Sequence, residues 1–296
     1  MEVSVRLFDH GAASVQVKVP IPAGTPVNGL TLLADELYDS DAVDALCRDV
    51  VEGVRQQLAP AMEGAHRWGQ HESYTIIFAE ALSGVDDAES ILARVDLARL
   101  LLGETGEAPL SREETEAVTH ARFSYTQNDL VVVDWNAAFV WEPSGSIDIP
   151  LLLELANAQL LELRYYDQLL DERLEGTYDQ IAKKRQDPFR LLRSPYHRLA
   201  RRTLGTLMEL QEFVERADNS LKVIGDVYLA KVYEAAVQQL RIPPWQASVT
   251  RKQDLLARTY GLLKGEIDTD RALTLEAAIV LLIVLEIVLA MFKVLT

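Results

Sequence analysis

Cysteine is nearly absent from this sequence. Cys47 is the single one in 296 residues, so no intramolecular disulfide can form and no cysteine-based metal site can be built. Set among Leu46, Val50 and Val51, it reads as a small buried hydrophobe rather than a reactive thiol. The opening residues, MEVSVRLFDHG, lack a basic stretch followed by an apolar one. No secretory signal is therefore expected, and the bulk of the chain is expected in the cytoplasm. A Gly-rich phosphate loop, a G-x-S-x-G elbow and an H-E-x-x-H pair are missing too, which removes the usual signatures of nucleotide, acyl-transfer and zinc-hydrolase chemistry. No cofactor is expected, and enzymatic activity has no support. Histidine is scarce, and His66 and His71 with Glu63 and Glu72 do not stand at ligand spacing, so a metal site is disfavoured.

Apolar residues make up 49% of the chain and charged ones 25%, the balance of a globular protein rather than a disordered one. The net charge of −16 is unevenly placed. Residues 1–150 hold 25 of the 45 acids but only 9 of the 29 Lys and Arg, which leaves residues 151–296 neutral. Such an acidic first half repels phosphate and reads as a solvated surface. The change in character near Pro150 marks a boundary between two kinds of structure.

The first half mixes short strands with helices. Val3, Val5 and Leu7 alternate with polar residues, as do Val15, Val17 and Val19, predicting a hairpin that ends at Pro20 and Pro22. A helix is expected from Asp41, whose carboxylate can cap it, with Val43, Leu46, Val50, Val54 and Leu58 on one face. Residues 73–79 read as a buried strand and 89–102 as a helix preceded by Asp86-Asp87, an N-cap. Ser111 and Glu114 form a capping box for a helix reaching Val118. A second hairpin joins Leu130–Val133 to Ala137–Trp141 through Asp134-Trp135-Asn136, residues that a tight turn needs whether or not they bind anything. This interspersion predicts an α+β domain over residues 1–147.

The second half is helical. Positions 149, 153, 156, 160, 163, 167, 170, 174, 177 and 181 step by four and three without a break and are apolar except at Asp167 and Thr177. That heptad predicts a coiled-coil seam within residues 148–270, with Asp167 fixing register. Helices are also expected over about 195–217, 219–240 and 249–267, the last repeating the seam at Val249, Leu256, Tyr260, Leu263 and Ile267. Turns are expected at Asp218-Asn219 and Pro243-Pro244, short enough for antiparallel neighbours.

A C-terminal hydrophobic (transmembrane) helix is expected over residues 271–296. Its 21 residues 272–292 span roughly 31 Å, close to the ~30 Å hydrocarbon core. Thirteen of them are Leu, Ile, Val or Phe, together worth roughly −6 kcal/mol on an insertion scale. A charged Glu286 near the middle costs back about 3 kcal/mol if it behaves like Asp. Insertion still wins, as a tail anchor with the N-terminal bulk in the cytoplasm. At mid-depth a carboxylate needs a proton or a donor on a neighbouring helix, so Glu286 points to assembly as well as anchoring. The competing expectation is a soluble oligomer whose apolar tails bundle in a shared core.

In the segment Leu275-Glu276-Ala-Ala-Ile-Val-Leu-Leu-Ile-Val-Leu285-Glu286-Ile287, a Leu-Glu pair opens an apolar run and a second Glu follows ten residues later. This pattern resembles the ending of the family named for "required for meiotic nuclear division", the Rmd-type domain. The order of parts over residues 70–292 is similar too: a β-rich half, a hairpin, Glu142-Pro143 and the long helix holding Arg164 and Asp171. The aromatic residue expected after the first Glu is Ala277 here. Only Glu276 and Glu286 carry over. The resemblance implies a membrane-tethered, self-associating protein with no established enzymatic activity.

Residues 183–202, KKRQDPFRLLRSPYHRLARR, hold eight Lys or Arg against one acid. Arg190, Arg193, Arg198, Arg201 and Arg202 are candidates for phosphate contact, either with lipid headgroups beside the tail or with RNA. The plainer alternative is an exposed turn paired with the protein's own acids. The expected partners are thus membrane lipid and further copies of the chain, with nucleic acid the weaker third.

Overall fold

The computed structural model describes residues 1–8, 11–38, 40–62, 68–184, 196–221 and 225–295, without the side chains of 183–184, 212–221 and 292–295. Two compact units result. One comprises Met1–Tyr165 with Arg216–Gln246, the other Tyr166–Glu215 with Ala247–Thr296. The architecture is a mixed-sheet N-terminal region followed by long helices, the last of them long and apolar.

In the first unit the alternating valines pair as expected. β1 (Glu2–Leu7) and β2 (Ala13–Lys18) form an antiparallel hairpin with Val3 opposite Val17 and Val5 opposite Val15. A helix unforeseen in the sequence follows, α1 (Val27–Leu37), entered at Pro26 without a side-chain cap. Next comes α2 (Asp41–Leu58), but Asp41 lies in its first turn and Ser40 occupies the cap, so the capping role given to Asp41 is corrected. No residue of α2 is buried, and Cys47 on it is half-buried rather than enclosed.

β3 (Thr75–Ala79) leads to α3 (Ala88–Arg94) and α4 (Leu97–Leu102), a pair where one helix was expected. Aspartates divide them. Asp87 caps α3 by accepting from the Ser90 N–H, and Asp96 restarts the chain as α4 by accepting from the Arg99 N–H. α5 (Arg112–Val118) begins with the expected cap, Ser111 Oγ accepting from the Glu114 N–H at 3.1 Å.

β4 (Arg122–Phe123), β5 (Leu130–Val133) and β6 (Ala137–Trp141) complete a four-stranded sheet in the order β3-β6-β5-β4. β3 runs parallel to β6, and the remaining pairs are antiparallel. Every residue of β5 and β6 is buried, so both faces of these two central strands are covered, while β3 is half-buried. Ile91, Leu97, Leu100 and Leu101 pack with Leu130, Val132, Phe139 and Trp141 to form the core. Such a fully enclosed Phe139 is worth roughly 3–5 kcal/mol against truncation to Ala. α8 (Val227–Gln239), capped by Asp226, lies against β5. It is tied to α6 (Asp148–Lys184) by Tyr233, whose hydroxyl donates to Gln159 Oε1 at 2.7 Å.

The second unit is a helical bundle built from α6 beyond Tyr165, α7 (His197–Leu221) and α9 (Ile242–Leu295). All ten heptad positions of α6 are buried or half-buried. α6 and α9 run in the same direction: Asp167 meets Ser248 near one end, while Ile181 packs with Leu263 and Ile267 at the other. α7 starts at that second end, where Tyr196 and Leu199 join the same cluster.

Two expected boundaries do not occur. α7 passes through Asp218-Asn219 to Leu221, and Pro243-Pro244 sits in the first turn of α9 rather than in a loop. The second is a natural place for proline, since the first-turn amides of a helix have no partner to lose. The helices expected at 249–267 and 272–292 are one, 54 residues long.

Candidate membrane-spanning helix

Burial along α9 stops at one residue. Val249, Leu256, Thr259, Leu263, Ile267 and Asp270 are enclosed at spacings of seven, three and four, the stripe of a helix packed on one side. From Arg271 to Met291 every residue is exposed. Leu275 and Leu281 are each 66% accessible and Ile283 is 50%. An 18-residue window of this helix has a mean hydropathy of 2.6, and none of it is buried. By length and composition it can cross a membrane. A water-exposed cylinder of Leu, Ile and Val this long is unfavourable by roughly 25 cal/mol per Å² of apolar surface, so it calls for a cover.

Glu276 and Glu286 both lie on this exposed stretch. Ten residues apart, they are separated by about 15 Å along the axis and about 80° around it, within one quadrant of the helix. Glu286 is about 6 Å from the midpoint of residues 272–292. Asp270, the last enclosed position, has a carboxylate oxygen without a hydrogen-bond partner among the described residues.

Asp167 is engaged inside its own chain. Its carboxylate accepts from Ser248 Oγ at 2.6 Å and lies 2.8 Å from Lys252 Nζ, which also reaches Asp171 at 2.6 Å. Burial alone would lower the Lys252 pKa, but the hydrogen bonds with Asp167 and Asp171 outweigh it and the ammonium is held above its ordinary value. Arg198, Arg201 and Arg202 are exposed on the first turns of α7, while Arg190 and Arg193 lie outside the described residues.

The other candidates have local partners. His71 sits 3.0 Å from Asp44, Glu72 pairs with Arg164, and His66 and Glu63 lie outside the described residues. Among the described residues no three metal-ligating side chains converge. Asp134 is buried in its turn, and burial raises its carboxyl pKa against the opposing hydrogen bond from the Trp135 backbone. Tyr74 braces the turn by donating to the carbonyls of Asp134 and Ala137, both at 2.9 Å.

Sequence reasoning missed a cleft of about 450 Å³ in the first unit, lined by Tyr125, Asp129, Glu142, Asp148, Asp226 and Tyr228 among others. Its acids serve nearby groups. Asp129 accepts from the Tyr125 N–H and the Thr126 and Tyr228 hydroxyls, and Asp226 from the first amides of α8. The Thr126-Gln-Asn-Asp129 turn pattern was the available signal.

These features define a two-unit protein, mixed-sheet and helical, with one helix long and apolar enough to cross a membrane. The chain belongs to the family of the N-terminal domain of the uncharacterized protein MJ0711, whose model matches residues 1–148. It is 25% identical over 231 residues to the uncharacterized protein MJ0711 of Methanocaldococcus jannaschii, which covers 75% of this chain and 67% of that relative. No solved structure matches. Glu276 and Glu286, which carry the likeness to the Rmd-type family, lie outside the residues that the family model matches.

Proposed function

We propose that this protein is a non-enzymatic membrane tether, held in the bilayer by α9 and self-associating through it. The observation that carries the reading is the abrupt end of burial at Asp270, followed by 21 exposed and mostly apolar residues. Support for a cytoplasmic placement of the bulk comes from Arg258, Lys264 and Arg271, all within about 15 residues before the apolar stretch, because Lys and Arg that close to the end of a span are retained on that side. The likeness of Glu276 and Glu286 to the Rmd-type ending agrees with a tethered, self-associating protein. Asp167, on this reading, sets the register of α6 against α9.

The second reading is a soluble oligomer whose α9 segments bundle in a common core. The same exposed surface favours it, since a bundle of tails would cover Leu275, Leu281 and Ile283 equally well. Fractionation of the full chain and of a chain shortened before Ala272 separates the two. The tether predicts transfer from membrane to soluble fraction on shortening. The bundle predicts soluble protein in both cases, with loss of the oligomer on shortening.

A further inference from the structure

We propose that the outer face of the first turns of α7, formed by Arg198, Arg201 and Arg202, docks on the anionic headgroups of the membrane that α9 enters. The proposal rests on the tether reading for its geometry.

Tyr196, Leu199, Ala200 and Thr203 are enclosed, which turns the three arginines, at i, i+3 and i+4, to the opposite side of the helix. No ion pair among the described residues involves them, and no acid occurs on α7 before Glu209. In a chain of net charge −16 this is a cationic face with no acidic partner among the described residues.

Its height along the bundle matters more than its charge. The contacts of Tyr196 and Leu199 with Leu263 and Ile267 set the start of α7 beside the last enclosed turns of α9. Ala272 is five residues beyond Ile267 and nine beyond Leu263, a rise of about 8 to 14 Å. The headgroup layer is roughly 5–8 Å thick on each side of the hydrocarbon, and charges are felt over about 8–10 Å at physiological salt. The arginine side chains therefore come within electrostatic range of the phosphates when the apolar segment is inserted. Arg271 adds a fourth cation at the boundary. Glu266 and Asp268, exposed on α9 at the same level, oppose the attraction, so the preference belongs to the α7 face and not to the bundle end as a whole. RNA fits less well, because a polyanion approaching from solution meets the chain's excess of acids without the apolar helix to compensate.

The test presents detergent-solubilised full chain to an equal mixture of two vesicle populations, one of phosphatidylcholine alone and one also containing phosphatidylglycerol. Wild-type protein is expected to favour the anionic vesicles by on the order of 100-fold at low salt, about fivefold per arginine, falling at high salt. Arg198→Gln/Arg201→Gln/Arg202→Gln should divide nearly evenly between them, and the triple Lys variant should retain the preference. An even division of wild type, or a preference kept by the Gln variant with unchanged helix content, overturns the proposal. So does saturable binding of a single-stranded RNA oligonucleotide that needs these arginines in protein showing no vesicle preference. Alkaline carbonate then reports on the anchor separately. Protein extracted from both vesicle types contradicts the span, while an arginine-dependent preference would still support the docking face.

Discussion

Lys252 on α9 and Asp167 on α6 form a nearly enclosed ion pair, 2.8 Å apart with about a sixth of each side chain accessible, at a position that is otherwise the apolar seam of α6. Removing the cation leaves a carboxylate facing the helix interface with, among the described residues, only the Ser248 hydroxyl to satisfy it. Lys252→Met should therefore cost about 2–3 kcal/mol in chemical denaturation, less than a fully buried pair because some water reaches it. The pH dependence has a definite sign. A lysine held above its ordinary value contributes fully below about pH 10, the unfolded value, and the contribution is lost as pH climbs through the raised folded value. The wild type should thus lose stability at the alkaline end faster than the variant. Equal stability of the two proteins at neutral pH would remove the pair from the account.

Gly103 closes α4 at φ +63°, and a Cβ there would come within 2.9 Å of the Tyr38 ring. The ring cannot withdraw freely, since its hydroxyl donates to the Leu101 carbonyl at 2.8 Å. Gly103→Ala combines left-handed strain with that overlap and should lower stability by about 1–3 kcal/mol. A loss below half a kilocalorie in thermal or urea unfolding would show that the α1–α4 packing is looser than described.

Asp134 is enclosed, and burial raises its carboxyl pKa. An acid bound more tightly to its proton in the folded state favours folding at low pH. That contribution fades as pH rises from the unfolded value near 4 through the folded one. Asp134→Asn keeps an acceptor for the Trp135 amide without the charge. The variant should match wild type near pH 4 and exceed it at pH 7. Lower stability of the variant at pH 7 would mean that the ionised carboxylate has a partner it needs.

Glu286→Leu removes the one acid deep in the apolar stretch. Membrane recovery should be unchanged or higher, while oligomer size, read by cross-linking in membranes and by light scattering in detergent, should fall. The expected loss is about 1–2 kcal/mol per interhelical hydrogen bond. An unchanged oligomer would reduce α9 to a simple anchor.

Much of this was legible because periodicity reports burial directly. The heptad from Ile149 to Ile181 is followed residue by residue in the enclosed face of α6, and the runs at 130–133 and 137–141 became the central strands. What escaped were elements whose local signals are weak or contrary. α1 has no capping side chain, and β4 is two residues long. Asp218-Asn219 looks like a turn, yet the helix continues through it, as tertiary context often overrides propensity. The apolar tail was visible from composition alone, but its continuity with the bundle through Asp268-Thr269-Asp270 was not. Nor did the sequence reveal that the seam of α6 is occupied within the same chain, because a heptad specifies a face and not whose helix covers it.

The proposed tether places the exposed part of α9 in a bilayer. In a Cys47→Ala background, Val284→Cys sits within the apolar stretch and Leu255→Cys on an exposed part of the bundle. Each is labelled with a membrane-impermeant maleimide, using full-length protein in carbonate-washed vesicles. With α9 inserted, Leu255→Cys should react at once, and Val284→Cys should stay unlabelled until detergent is added. Labelling of Val284→Cys at the same rate as Leu255→Cys, or loss of both proteins from the washed vesicles, would contradict it.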